Sequence, residues 1–196
     1  MDTIPKYDTL GLYSKSLYIR QTLEEGEEVF YSCNVEKYNR YGFTQERILL
    51  ITNFYLVTLD FGPFNYNLHR KVPIESIDAC VTSKLSTCSE LVVHFKDDYD
   101  ERYLAKKHAR NIVRILQRIM TVRGLMFKVY TVPDKKLRNY ATTKDEAAKG
   151  KDKRPDEKFL TEQTTGAEFE FDQVVPDRRP TLAGQTEEES KESREK

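Results

Sequence analysis

The chain has 196 residues, with 32 Lys and Arg against 32 Asp and Glu, so no overall charge draws it to nucleic acid or to an anionic surface. Cys33, Cys80 and Cys88 are odd in number and lack CxxC spacing, so neither a disulfide framework nor a zinc site is indicated. The balance is uneven along the chain: residues 1–142 hold 21 basic and 17 acidic side chains, net +4, and residues 143–196 hold 11 and 15, net −4.

The N-terminal MDTIPKYDTLGLY has no basic-then-apolar leader, and no apolar run approaches the roughly 20 residues of a spanning helix. A cytoplasmic chain is expected, with membrane contact peripheral at most. From Thr9 to Leu23, the spacing of Leu10, Leu12, Tyr13, Leu17 and Tyr18 predicts one amphipathic lead-in helix, within a segment 1–27. A polar turn at Glu24–Glu28 precedes a strand from Val29 to Val35. Gln45–Thr52 and Phe54–Asp60 then read as a hairpin of continuous apolar runs broken at Asn53.

Phe61-Gly62-Pro63 marks a turn, and Tyr66–Val72 a strand that Pro73 ends. Ile77–Leu85, Leu91–Phe95 and Tyr99–Ala105 follow as strands, separated by Ser86–Ser89 and by an acidic turn at Lys96–Asp100. Six or seven strands with no intervening helix predict an antiparallel sheet curling on itself. The period then changes. Ala109, Ile112, Val113, Leu116, Ile119 and Met120 recur at helical spacing, opposite Lys107, Arg110, Arg114 and Arg118, with Gly124 as the expected C-cap. Leu125–Val132 is expected to add an edge strand. The fold class is therefore mainly β with a C-terminal helix: a barrel plugged by an amphipathic helix over residues 28–142, and an extended acidic tail over 143–196. That tail is too polar to offset its own ordering entropy, so it is expected to order on a protein partner through Phe159, Leu160, Phe169, Phe171, Val174 and Val175.

No enzymatic pattern is present: there is no GxSxG, HExxH or glycine-rich phosphate loop, and His69, His94 and His108 lack neighbours at ligand spacing. Asp97, Asp98 and Asp100 read as a solvated turn rather than a calcium loop. A non-enzymatic chain without cofactor or metal is expected. The basic face of the helix reads as a solvated face.

The specific signal lies between the first two strands. Lys37, Arg40 and Arg47 bracket Tyr41, Gly42 and Phe43, where glycine gives the turn its conformational freedom. Cations converging at the open mouth of a small barrel would bind a multivalent anion. Arg70 and Lys71 would add to the field, and Tyr41 and Phe43 would dip into an interface. Against this, Glu46 stands beside Arg47.

The segments KYNRYGFTQERILLIT, YLVTLD and VPIESIDACVTSKLSTCSELVVHF are similar to the tail homology 1 domain of class I myosins, here as a stand-alone chain. The residues that carry the resemblance are Lys37, Asn39, Arg40, Gly42, Arg47, Thr52, Pro73, Ile74, Ile77, Val81 and Ser83. It implies a pleckstrin-homology-like fold that binds anionic phospholipid, phosphoinositide headgroups included, at membrane–cytoskeleton interfaces. Lys37 and Arg47 match the family's lipid cations. The expected function is a PH-like adaptor between phospholipid and cytoskeleton. The alternative is a structural subunit of a microtubule or axonemal assembly that uses barrel and tail for protein contacts.

Overall fold

The computed structural model describes residues 7–61 and 66–161. The expected turn at Gly62-Pro63, the aromatic and valine anchors from Phe169 to Val175 and the closing acidic run lie outside the described residues.

The elements are β1 (Tyr7–Asp8), α1 (Leu12–Lys15), α2 (Leu17–Thr22), β2 (Val29–Tyr38), β3 (Thr44–Thr52), β4 (Tyr55–Phe61) and β5 (Tyr66–Pro73). They continue with β6 (Ile77–Ser83), β7 (Glu90–Phe95), β8 (Glu101–Leu104), α3 (Ala109–Val122), β9 (Lys128–Val132), α4 (Lys144–Ala147) and β10 (Leu160–Thr161). A strand order of β10-β9-β6-β7-β8-β2-β3-β4-β5 makes one curled sheet, with β1 paired to β2. The expected barrel takes the form of an open path: among the described residues β5 and β10 end the ladder without pairing to each other.

Helix α3 lies in the curl. Its Ile112, Val113, Ile115, Leu116, Ile119 and Met120 share one core with Tyr31, Cys33 and Val35 of β2, Leu49 and Ile51 of β3, and Leu91, Val93 and Phe95 of β7. Alternation along each strand sends the neighbouring residues to the other face. Those faces are covered too. Ile48, Leu50, Val57 and Leu59 pack under Leu10, Leu12 and Ile19 of the lead-in, and Ala79, Val81 and Val92 pack under Tyr130, Val132 and Leu137. Burial on both sides explains why Ile48–Ile51 is a continuous apolar run.

Several elements differ from expectation. The lead-in is two short helices, because Ser16 is extended (φ −120°, ψ 113°) and its side chain accepts from the Ile19 amide to start α2. Helix α3 begins at Ala109, after a tight turn at Lys106–His108. Gly124 closes it at φ 66°, with the Leu125 amide donating back to the Met120 carbonyl at 2.8 Å. Strand β9 is not an edge: it runs parallel to β6 and carries β10 on its far side.

Residues 143–161, assigned to the tail by composition, lie against the sheet. A capping box between Thr143 and Glu146 opens α4. Arg154 Nη2 then reaches both oxygens of Asp78 at 2.9 and 3.0 Å, and Leu160 and Thr161 pair with β9. Asp100 is the second fastener. It is buried against His94 at 2.9 Å and accepts from the Thr142 amide at 2.7 Å, so this aspartate is structural, whereas Asp97 and Asp98 are exposed.

Candidate functional site

Strand β3 projects past β4, which pairs with it only over Ile48–Ile51, while β2 stays paired to β8 at Glu36 and Lys37, so only the tip from Tyr38 to Thr44 clears both neighbours. The ribbon that projects is closed by Asn39. Its amide donates to the Phe43 carbonyl at 2.8 Å, and its side-chain oxygen accepts from the amides of Tyr41 and Phe43 at 2.9 and 3.1 Å. Gly42 takes φ 86° within this turn. The tip presents Tyr41 and Phe43 at 67% and 70% exposure. Arg40 stacks on the Tyr41 ring at 4.6 Å.

Below the tip the alternation of β2 turns Lys37 inward. It is only 7% exposed and donates to Glu101 Oε1, a carboxylate at 1% exposure. Arg70 reaches the same oxygen at 3.0 Å and Asp98 at 2.7 Å, and stacks on Phe95 and Tyr99 at 4.5 and 4.0 Å. The Tyr103 hydroxyl donates to Glu101 Oε2. Burial pushes the Glu101 carboxyl up, but the charges of Lys37 and Arg70 outweigh it and hold the pKa below the ordinary value. Two of the expected ligand cations are therefore bound to an internal anion.

The mouth is a cavity of about 430 Å³ whose lining includes six cations, Lys37, Arg40, Arg102, Arg138, Lys144 and Lys153. Its carboxylates are Asp100 and Glu146. Asp100 is occupied as described, and Lys153 at 2.7 Å, with the Thr143 amide, holds the Glu146 carboxyl down at about 2. Among the described residues Arg40, Arg138 and Lys144 have no ion pair, and all three are exposed. Arg102 lies over the Tyr38 ring at 3.7 Å.

His69 joins this lining because a bulge between Thr58 and Leu59 leaves it without a partner on β4. Burial lowers its pKa, and the Lys37 and Arg47 charges lower it further.

The remaining expected residues are distributed differently. Arg47 shares the inner face of the ribbon with Val35, but its guanidinium folds back to the Glu46 carbonyl at 2.7 Å and the Gln45 side chain at 3.0 Å. Glu46 sits opposite Glu36, on the face away from Lys37, so it does not oppose an anion in the cavity. Lys71, next to Arg70, points the other way. It bonds Glu24 and Glu27 at 3.1 and 3.2 Å and lies over Tyr55, fastening the lead-in segment rather than serving the mouth.

Sequence reasoning missed Glu101, Arg102, Arg138, Lys144 and Lys153. For Lys144 one signal was readable: Thr143 and Glu146 have capping-box spacing, which predicts a helix start where composition indicated a tail.

Residues 7–164 match the family described as unconventional myosin tail, actin- and lipid-binding. No individual curated protein matches the chain by sequence. Solved structures with a similar course include the hSac2 domain from human phosphoinositide phosphatase Sac2, at 13% identity and a TM-score of 0.48 over 61% of this chain and 87% of that one. The linker-DH/PH domains of p115-RhoGEF match at 11% identity and 0.44, over 58% of this chain and 35% of that one. The Slm1 PH domain matches at 7% identity and 0.40, over 46% and 96%.

Proposed function

The chain belongs to the unconventional myosin tail family, whose description is actin- and lipid-binding, and on that premise we propose that its β2–β3 mouth holds the phosphorylated headgroup of an anionic phospholipid. The observation that carries this reading is the juxtaposition of the cation-lined cavity with an exposed aromatic tip on the same ribbon. Arg40, Arg102, Arg138 and Lys144 face the anion, and Tyr41 and Phe43 enter the interfacial layer, where an aromatic body gains from leaving water while a polar group stays wet. Lys37 contributes by position: held by Glu101, it fixes the base of the ribbon. The attachment proposed is peripheral, through the mouth and the aromatic tip; no helix among the described residues is long and apolar enough to cross a membrane. The body so attached would link membrane to cytoskeleton as a non-catalytic adaptor.

Vesicle sedimentation tests this with the full chain and three compositions: neutral lipid, phosphatidylserine, and phosphatidylserine doped with phosphoinositide. Binding to the anionic vesicles that falls with salt is expected. Arg138→Glu with Lys144→Glu should weaken it without altering the fold. Equal binding to all three compositions, or indifference to that double reversal, would sink the proposal and favour protein contact through the same ribbon.

A further inference from the structure

A second groove lies on the far side of α3, between that helix and the β6–β7 turn, with a volume of about 750 Å³. Lys84, Lys107, Arg110 and Arg114 border it, and among the described residues of its lining Glu90 is the single carboxylate. Glu90 is turned away to Tyr38 and the Leu137 amide. Leu85, Val113 and Val129 give the groove apolar surface.

Two further observations define the occupant. Asn111 lines the groove at 1% exposure, and neither its side-chain oxygen nor its nitrogen has a hydrogen-bond partner among the described residues. A buried primary amide left so costs about 1–3 kcal/mol. It offers one acceptor and donors side by side, the complement of an extended peptide backbone; a phosphate would use only the donors. Second, Thr161, the last described residue, is itself part of the lining, tied to Thr131 at 2.6 Å.

The eleven residues that follow it, EQTTGAEFEFD, contain Glu162, Glu168, Glu170 and Asp172 and no cation. In Glu168-Phe169-Glu170-Phe171-Asp172 acid and aromatic alternate, so an extended strand would put carboxylates on one face and rings on the other. Glu168 lies seven Cα steps beyond Thr161, a reach of up to about 25 Å. Helix α3, with its 14 residues, is about 21 Å long.

We infer that this groove is a docking surface for the chain's own segment Glu168–Asp172. Its carboxylates meet Lys107, Arg110 and Arg114, its phenylalanines cover Leu85 and Val113, and its backbone pairs with the Asn111 amide. The inference stands independently of the lipid-binding mouth.

Cys88 supplies the probe. It lines the same groove and is partly exposed, whereas Cys33 and Cys80 are fully buried. With a nitroxide on Cys88 of the full chain, the amide signals of residues 168–172 should be lost to paramagnetic broadening. Glu168→Lys, Glu170→Lys and Asp172→Lys together should restore those signals. Adding Arg110→Glu and Arg114→Glu to that triple variant should broaden them again, a rescue that general damage would not give. Unbroadened signals in the wild type, or broadening that the triple reversal leaves unchanged, would overturn the assignment. So would a failure of the charge swap to restore it in a protein whose remaining spectrum is native.

Discussion

Lys37 and Arg70, joined through Glu101, and Arg138 and Lys144, which line the mouth, carry the same charge in opposite surroundings. The first pair shares the buried carboxylate of Glu101. The second pair is exposed and without ion pairs among the described residues. A buried cation must be compensated within the protein, so its charge is spent on the fold; an exposed one remains available to a ligand at little structural cost. Residue type alone does not separate the two roles.

The largest expected effect breaks the buried side. Glu101→Ala leaves Lys37 and Arg70 buried beside each other and should lower unfolding free energy by about 3–5 kcal/mol in chemical denaturation. A loss below about 1 kcal/mol would mean that the two cations reach water and that the contrast is false. Acid should act on the same group. The folded pKa of Glu101 is depressed from 4.5, so its contribution is complete above that value and fades as pH falls through the lower folded value. Denaturation midpoints compared between wild type and Glu101→Gln should converge on acidification; parallel curves would refute the linkage.

The exposed side should respond in binding and not in stability. Polybasic attraction is worth about 1 kcal/mol per residue, so Arg138→Glu with Lys144→Glu should weaken anionic-vesicle binding roughly 30-fold or more. The unfolding free energy should stay within about 0.5 kcal/mol of wild type. A double variant that unfolds instead would place these residues with Lys37. The smallest effect is expected at the tip: Phe43→Ser, which removes a ring already exposed, should cost about 1 kcal/mol of vesicle binding and nothing measurable in stability.

How much could be read beforehand follows from where each signal resides. The β2–β3 ribbon, Gly42 at its turn and the helical period of α3 are local patterns, and each was legible in a short window. Asn39 belongs to a readable motif, but its work of holding the amides of Tyr41 and Phe43 is a matter of turn geometry. Glu101 was invisible because it lies 64 residues from Lys37, and no local pattern within its strand names that partner. Residues 143–161 were misplaced because composition weighs apolar content, whereas Arg154 on Asp78 and Thr142 on Asp100 hold this segment by directed polar contacts.

The order of residues carries the strand succession, the helix that covers the sheet and the presence of cations beside an aromatic turn, since periodicity and turn chemistry act between neighbours. Tertiary structure decided which cations face a ligand. That choice depends on the carboxylate each one meets across the curl of the sheet, and such a partner is set by distance in space and by burial, neither of which is written in the order of residues.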